Sequence, residues 1–235
     1  MIETAAPDVV SLVAHADDNL ILAQRLGEWI SRAPELEIDI ALGNFALDHL
    51  GVARSLYTRA GEIEGAGRTE DDFAMLRPER EFTNLLIVEQ PNGDFAHTVV
   101  RQYFFDVYQS LLWPELRRSG DEAVAGIAGR AARENAYHLE FSSGWMVRLG
   151  DGTEESHRRV QNAVDSLWQF TEELSGDRSQ AWRSEVDAVL AEAGLAVPDD
   201  PYQRSGGRDG RHTEHLGHLL AEMQWMQRSY PGLTW

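Results

Sequence analysis

The sequence predicts an all-α protein. Apolar residues recur at three- and four-residue steps along almost the whole chain, which is the spacing typical of amphipathic helices. Runs in which polar and apolar residues alternate, as they do in strands, are nearly absent. The 235 residues are enough for one sizeable core but would leave two ordinary domains small. We therefore expect a single helical domain over 1–235.

The first two helices are expected to form an antiparallel hairpin. Asp8, which follows Pro7, is a good N-cap, and the first helix should continue until Ala33-Pro34 stops it. The second helix follows at once and runs to about Glu64. Its inward stripe is predicted to contain Ile38, Ala41, Leu42, Phe45, Val52 and Leu56. Two long helices joined so briefly must lie antiparallel.

A second hairpin is expected after a long crossover. The segment 65–94 loses the helical pattern and ends in the turn signal Pro91-Asn92-Gly93. Asp94 is a good N-cap for a third helix that should kink or end near Pro114. The fourth helix should run from about Asp121 to Gly150, with an apolar stripe of Val124, Ile127, Ala131, Phe141, Trp145 and Val147. Two hairpins joined by one long crossover are the order of a ferritin-like four-helix bundle.

The remaining residues are expected to form a helical extension. Two shorter helices, a loop and a last helix are predicted at about 154–175, 178–194, 196–211 and 213–229. We therefore expect a core bundle at about 8–150 and a C-terminal helical extension at about 151–235.

Charge and composition exclude several classes of function. The 21 basic and 39 acidic residues give a formal net charge of −18, which repels phosphate backbones and anionic lipids, so we expect neither nucleic acid nor a membrane as the main partner. The absence of cysteine excludes disulfides and thiolate-bound metals, and it is compatible with a reducing cytoplasm. The start, MIETAAPDVV, lacks a basic region followed by an apolar run, and no later stretch approaches ~20 apolar residues. We expect a cytoplasmic protein.

Four acidic residues fit the geometry of a di-iron bundle. Such a bundle takes a Glu from each of two helices and a Glu-x-x-His from each of the other two. In an antiparallel hairpin, residues equally far from the turn lie at the same height. Counted outward from the first break, this rule pairs Asp18 with Asp48. Counted outward from the second break, it pairs Asp106 with Glu134.

The histidines of this template are expected to be missing. Gly51 stands three residues after Asp48, where the first imidazole is required. Tyr137 stands three residues after Glu134, where the second is required. We therefore expect a vestigial di-iron site with a carboxylate frame and no nitrogen ligands.

Two histidines lie close to the required positions. His49 and His138 are each one residue away, and because one step along a helix turns a side chain by roughly 100°, we expect both to point past the site. Two interpretations of the acids follow. We favour buried hydrogen bonds or ion pairs with residues such as Arg54 or Arg101, and the alternative is a metal site.

Several longer segments resemble the C subunits of bacterial phenylacetyl-CoA 1,2-epoxidases. They are QRLGEW at 24–29, APELEIDIAL at 33–42, LLIVEQPNGDFA at 85–96, RQYFFD at 101–106, HTEHLGHLLAEMQ at 212–224 and the terminal Trp235. In that family a related ferritin-like A subunit holds the di-iron centre and epoxidises the aromatic ring of phenylacetyl-CoA. The C subunit lacks the ligand set and acts as its structural partner. Gly51 and Tyr137 agree with the C role.

The resemblance implies a non-catalytic structural subunit with no cofactor or metal of its own. Its expected partners are the di-iron catalytic subunit and further subunits of the epoxidase, in aerobic phenylacetate degradation, and a homodimer is a further assembly to consider. Two other functions stay open, namely a stand-alone acyl-CoA-binding or assembly protein and an active oxygenase with a carboxylate-only centre. The centre of that oxygenase would be formed by Asp18, Asp48, Asp106 and Glu134.

A histidine-rich segment precedes the last predicted helix. His215, His218 and Glu222 share one helical face, as two histidines and one carboxylate do in some metal sites. His212 lies just before them. We favour the other interpretation, an ordinary helix start capped by Thr213 with histidines in polar or interface contacts.

Two further surfaces are candidates for binding. The segment RSGGRDGR carries Arg204, Arg208 and Arg211 ahead of a helix N-terminus, where they could hold the phosphates of a CoA moiety. A flexible linker or a docking loop for an acidic partner is the interpretation we favour. Trp225 and Trp235 are expected at a partner interface, where aromatic anchors contribute much of the affinity.

Overall fold

The chain folds into helices joined by turns and loops, in a computed structural model that describes residues 7–199 and 202–233. The helices are α1 Val9–Gly27, α2 Leu36–Glu64, α3 Phe95–Leu116, α4 Glu122–Gly150, α5 Glu154–Leu167, α6 Thr171–Ser175, α7 Ser179–Glu192, α8 Glu214–Met223 and α9 Trp225–Ser229. One π turn spans Asp72–Leu76, and short 3-10 turns span Glu79–Glu81, Trp168–Phe170, Gly176–Arg178 and Gly207–Asp209. The described part of the chain contains no β-strand. The predicted all-α, ferritin-like fold class is confirmed.

Local chemistry sets the helix ends that the sequence predicts. The side chain of Asp8 accepts a hydrogen bond from the backbone N–H of Ser11 at 2.8 Å and caps α1. Asp94 caps α3 in the same way through the N–H of His97 at 3.0 Å. Helix α2 ends at Glu64 and is capped by Gly65, which has a φ of 68° and so adopts the left-handed conformation that glycine allows without strain.

One predicted boundary is wrong and another is confirmed. Helix α1 ends early, at Gly27, and the segment 28–35 forms turns in which Ser31 has a φ of 68°. Helix α3 ends at Leu116, near Pro114 as expected. Pro114 lies in the last turn, so the missing N–H interrupts the helix only close to its natural end.

The described residues form two compact units. The first lies within Met1–Pro91, Ser119–Ile127 and Gly206–Trp235, and the second within Asn92–Arg118 and Ala128–Ser205. The segment that follows Gly206 belongs to unit 1, where Arg208 bonds to α1 and to the crossover. The expected single domain, with a core bundle at about 8–150 and an extension at about 151–235, stays a prediction.

In unit 1, α1 and α2 pack as an antiparallel hairpin. The inner face of α2 is almost wholly apolar, and its buried residues are Ile38, Leu42, Phe45, Ala46, His49, Val52, Ala53, Leu56, Tyr57, Ala60 and Gly61. Helix α8 adds Leu216, Leu219 and Leu220 to the core of this unit. Gln224 follows α8 and donates from its side-chain amide to the carbonyl oxygens of Ala74 and Arg77, at 2.9 and 3.1 Å, which satisfies one backbone acceptor in the π turn and one just after it.

In unit 2, an aromatic cluster joins α3 to the shorter helices. Trp182 on α7 packs edge-on against Phe104 on α3, with 5.4 Å between ring centroids, and its indole N–H donates to the Phe104 carbonyl at 3.0 Å. Trp168 packs against the same phenyl ring at 5.8 Å. This cluster fixes α5 and α7 on α3.

The longest helices are amphipathic. Helices α2 and α4 have 29 residues each, and both carry charges on their outer faces. No helix in the described ranges is long and apolar enough to cross a membrane.

We expect two glycine-to-alanine changes to have opposite effects on stability. At Gly61 a methyl group would lie 2.4 Å from the carbonyl oxygen of Arg68, so Gly61→Ala should lower the free energy of unfolding by more than about 1 kcal/mol. At Gly126, inside α4, it would meet nothing within 4 Å, so Gly126→Ala should raise that free energy by roughly 0.5 to 1 kcal/mol. Urea unfolding of both variants measures this difference, and a gain in stability from Gly61→Ala would contradict it.

Candidate functional site

The interior of the α1–α2 hairpin holds a histidine. His49 is 2% exposed, and its Nδ1 lies 2.8 Å from Oδ1 of Asn19 on α1. The amide nitrogen of Asn19 donates to the carbonyl oxygen of His15 at 2.8 Å, which turns Oδ1 toward the imidazole. Because Oδ1 can only accept, Nδ1 of His49 must carry the proton. This bond fixes the tautomer and the ring orientation.

His49 occupies the histidine position of the di-iron template. Ala46 stands three residues before it and is also buried, so the Glu-x-x-His unit has become Ala-x-x-His. Asn19 holds the place of the carboxylate on the partner helix. The first hairpin therefore keeps its imidazole and has neutral side chains at both carboxylate positions.

A buried carboxyl group lies in the α3–α4 hairpin of unit 2. Asp106 is fully buried, and its two oxygens accept hydrogen bonds from the Gln102 amide at 2.7 Å and the Ser142 hydroxyl at 2.8 Å. Burial raises the pKa of Asp106 well above its usual value, although these two hydrogen bonds act in the opposite direction. A ring nitrogen of His138 lies within 4.8 Å of a carboxyl oxygen of Asp106.

The second hairpin repeats the pattern of the first. Asn135 stands three residues before His138, so this Glu-x-x-His unit has become Asn-x-x-His. The Asn135 amide donates to the backbone oxygen of Asp106 at 3.0 Å and cannot replace a carboxylate as an anionic ligand. Of the four carboxylate positions in the two hairpins, Asp106 alone still holds an acid.

The predicted directions of several side chains are wrong. His49 and His138, predicted to point past the site, are both buried at 2% exposure. Tyr137, predicted to face inward, is 61% exposed. Glu134 is partly exposed and accepts a hydrogen bond from Arg130 on its own helix at 2.7 Å.

The error has a geometric cause. Counting outward from a turn gives the height of a residue on its helix and not the direction of its side chain. On α2, Phe45 and Val52 are buried, and they bracket His49 at helical spacing. Asp48 lies one step around the helix and is half-buried, as is Gly51.

Asp18 is buried, as predicted, but an arginine holds it. Its two oxygens accept hydrogen bonds from the Arg208 guanidinium at 3.0 and 2.6 Å, and one of them also accepts the N–H of Leu85 at 2.7 Å. Arg208 donates further to the carbonyl oxygens of Ala14 at 3.1 Å and Thr83 at 2.6 Å. One guanidinium therefore ties the loop at 206–211 to α1 and to the crossover.

The neighbouring Asp17, which the sequence analysis missed, forms a second buried ion pair. It bonds to Arg77 of the crossover, to the Tyr57 hydroxyl and to the N–H of Thr83 at 2.8 Å. Burial, reinforced by the charge of Asp17, raises the pKa of Tyr57 well above its usual value. No local pattern indicates this network, since Asp17 and Arg77 are far apart in sequence.

Asp18 thus forms an ion pair, as favoured above, but its partner is Arg208 and not Arg54 or Arg101. Arg54 is largely exposed and bonds to Glu70 at 3.1 Å. Arg101 is buried and donates to the side-chain oxygen of Asn92 at 2.6 Å.

The three arginines proposed for CoA phosphates have different surroundings. Both terminal nitrogens of Arg208 donate to acceptors of the protein, as described above. Arg211 is exposed and pairs with Asp209 at 2.8 Å. Arg204, in unit 2, has an exposed side chain, and its backbone N–H donates to the carbonyl oxygen of Gln169 at 2.6 Å. Arg208 therefore acts as a structural bridge, a role that neither the phosphate site nor the flexible linker or docking loop predicted for it.

His212 is held as a cation by its surroundings. Its Nδ1 lies 2.9 Å from a carboxylate oxygen of Glu89, and its Nε2 lies 2.8 Å from the carbonyl oxygen of Phe82. Both partners can only accept, so both ring nitrogens must be protonated. Burial lowers the pKa of His212, but the hydrogen bonds to Glu89 and Phe82 outweigh this effect and leave the pKa above its usual value.

The other members of the histidine-rich segment do not converge. His218 and Glu222 are exposed, and His215 is half-buried. Within the ranges that the structure describes, no group of three candidate ligand atoms lying within 4.8 Å of one another includes any of them. This arrangement favours an ordinary helix start over a metal site.

The sequence predicts two tryptophans at a partner interface, Trp225 and Trp235. Trp225 is 59% exposed and contacts the Tyr230 ring edge-on, with 6.1 Å between centroids. An exposed aromatic pair of this kind fits an interface. Trp235 lies outside the described residues.

Comparison with known proteins gives the same relationship as the sequence motifs. The model of the family described as phenylacetic acid catabolic protein matches residues 2–180 and 177–235. The chain is 48% identical over 237 residues to the C subunit of the 1,2-phenylacetyl-CoA epoxidase of Escherichia coli strain K12, an alignment that covers 93% of this chain and 95% of that protein. The resemblance to C subunits is confirmed.

Removal of the Arg208 side chain should destabilise the protein strongly. Arg208→Met leaves the buried Asp18 carboxylate without its cation, and breaking such a pair costs about 3 to 5 kcal/mol. The matched control is Arg211→Met, which removes an exposed pair with Asp209 and should cost less than about 1 kcal/mol. Chemical unfolding of the two variants tests this, and equal losses would show that Arg208 does not compensate Asp18.

His212 should make stability depend on pH. Because its pKa is raised in the folded state, its contribution is complete below the unfolded pKa of about 6.5 and is lost as the pH rises through the folded pKa. The free energy of unfolding should therefore fall over this range in the wild type and fall less in His212→Gln. The exposed His218 supplies the control, since His218→Gln should keep the wild-type slope. Identical slopes for all three proteins would exclude a charged His212.

Proposed function

The chain belongs to the phenylacetic acid catabolic protein family, and from that premise we propose that it is a non-catalytic structural subunit of a phenylacetyl-CoA epoxidase complex. The relative from E. coli is named as one lettered subunit of such an epoxidase, which supports a role among other subunits. The partners we propose are a related subunit that carries the di-iron centre and further subunits of the complex. The expected compartment is the cytoplasm.

One observation carries the proposal. At the carboxylate positions of the two hairpins stand Asn19, Ala46 and Asn135, none of which can supply an anionic ligand. A two-iron centre of this fold relies on four such carboxylates. The donor set of this chain therefore does not fit a di-iron cofactor, although His49 and His138 remain.

The carboxylate-only oxygenase has less support. Both oxygens of Asp18 are bonded to Arg208, so this acid is already neutralised. Asp48 and Glu134 lie partly exposed, one helical step from the buried stripes of α2 and α4. A stand-alone acyl-CoA-binding role also loses one of its candidate residues, since Arg208 bonds within the protein.

The purified chain should neither hold a di-iron centre nor turn over substrate. We expect far fewer than two irons per chain after expression with excess iron, and no oxygen consumption with phenylacetyl-CoA and a reductant. Metal analysis and an oxygen electrode give these values. Two irons per chain, or substrate-dependent oxygen uptake by the chain alone, would refute the proposal.

Co-purification tests the partnership itself. A tagged chain expressed in its native host should retain a ferritin-like subunit whose sequence contains two Glu-x-x-His units, and the iron should follow that subunit. The complex, supplied with a reductase, should then consume oxygen with phenylacetyl-CoA. Recovery of the chain alone under mild conditions would argue for a stand-alone role.

A further inference from the structure

The turn that precedes α3 contains the only Asn-Gly pair in the sequence, Asn92-Gly93. Gly93 has a φ of 59°, the left-handed conformation that turns often require of glycine. Because glycine has no side chain, its peptide nitrogen can approach the side-chain carbonyl carbon of the preceding residue closely. An asparagine followed by glycine is therefore the asparagine that most readily loses its amide group through its own backbone.

A buried cation holds the side chain of Asn92. Arg101 on α3 is fully buried, and its Nη2 donates to Oδ1 of Asn92 at 2.6 Å. Since a guanidinium can only donate, the contact must be to the oxygen of the amide and not to its nitrogen. The positive charge withdraws electrons from this carbonyl group. It would also stabilise the negative charge that develops on the oxygen when a nucleophile attacks, as the donors of an oxyanion hole do.

The nucleophile and the solvent are also in place. In the ranges that the structure describes, the N–H of Gly93 donates no hydrogen bond, so folding does not occupy this nitrogen. The main-chain oxygen of Asn92 accepts the hydroxyl of Thr98 at 2.9 Å. This bond, together with that from Arg101, holds both carbonyl groups of Asn92 in a fixed geometry. Asn92 is partly exposed and Gly93 is exposed, so water reaches the turn.

We propose that Asn92 is a self-modification site, at which the folded chain converts its own amide to a carboxylate. The peptide nitrogen of Gly93 loses its proton to solvent and forms a bond to Cγ of Asn92. The bond between Cγ and Nδ2 then breaks, and Nδ2 takes a proton from solvent and leaves as ammonia. Water opens the resulting cyclic imide, so that in sum one amide and one water give one carboxylate and one ammonium ion.

Arg101 also determines which product forms. Attack of water on the imide carbonyl that comes from the side chain restores the normal backbone and gives aspartate, whereas attack on the main-chain carbonyl gives isoaspartate. A charged guanidinium polarises the first carbonyl and the neutral hydroxyl of Thr98 polarises the second, so aspartate is the main product.

The modification strengthens the start of α3. The new carboxylate stays on the guanidinium of Arg101, and a hydrogen bond between two charged groups is stronger than the bond to the neutral amide that it replaces. Since Asn92 lies in the turn and Arg101 lies on α3, the stronger bond ties this turn more firmly to the helix. The modified chain also carries one more negative charge.

Peptide mapping of the full chain by mass spectrometry tests the rate. Folded protein and protein unfolded in urea are incubated side by side at mildly alkaline pH. Loss of the amide at Asn92 should be at least about threefold faster in the folded protein, because unfolding removes the contact with Arg101. Asn44, which is exposed on α2 and followed by Phe45, is the internal control and should keep its amide in the folded protein. An equal or slower rate at Asn92 in the folded protein would overturn the proposal.

Two variants separate the charge of Arg101 from general anchoring of the turn. Arg101→Gln puts a neutral donor in place of the guanidinium and should lower the rate in the folded protein toward the rate in urea. It should also raise the share of isoaspartate, which is measured by labelling with an isoaspartyl methyltransferase. The matched control is Thr98→Val, which removes the neutral bond to the main-chain oxygen and should keep most of the wild-type rate. A faster loss of the amide in Arg101→Gln, with wild-type helicity by circular dichroism, would show that the guanidinium protects Asn92 and would refute the proposal.

The product can be tested without changing the buried arginine. Asn92→Asp carries the expected carboxylate from the start, and its midpoint of urea unfolding should lie above that of the wild type, because the charged pair is stronger. Wild-type protein aged in the folded state should move toward the same midpoint as its amide is lost. A midpoint of Asn92→Asp below that of the wild type would show that the turn does not accept the carboxylate, and the proposal would fail.

Discussion

The architecture of unit 1 depends on compensating two adjacent buried carboxylates. Asp17 and Asp18 lie on α1 with no more than 1% of their surfaces exposed, and a carboxylate removed from water without a partner is costly. Arg77 from the crossover compensates one and Arg208 from the C-terminal loop compensates the other. Since each guanidinium also bonds to backbone carbonyls, both segments are fixed to α1 by the same interactions. The crossover and the C-terminal loop are thus ordered by electrostatics as well as by apolar packing.

The same constraint explains the chemistry inside the hairpins. A cluster of carboxylates is stable in a helical interior only when cations neutralise it, and in a two-iron protein the metals do so. Here Asn19 and Asn135 provide polar groups of similar shape without charge, and they satisfy their neighbours by hydrogen bonds. Asp106 remains, and burial, which disfavours its charged form, raises its pKa well above the usual value. A folded interior without four anionic ligands follows from these residues.

The sequence predicts the helices and their ends well, but it predicts poorly the directions in which the side chains of the candidate site point. Turns, caps and apolar spacing determine helices, and Asp8 and Asp94 act as expected because a cap depends on residues three positions away. The histidine positions could have been found from the same stripes, since Phe45 and Val52 bracket His49 and Ala131 lies two turns before His138. The arginine partners could not, because Asp18 and Arg208 are 190 residues apart and no local pattern joins them.

The two faces of α2 differ in whether the rest of the protein buries them. The inner face contributes apolar residues and one oriented imidazole, all satisfied within the protein, so it needs nothing further for folding. The outer leucines gain little from the fold, because most of the Leu47 side chain remains in contact with water. Their burial must come from another molecule if it comes at all. On α2 that outer surface has the spacing with which one helix packs along another.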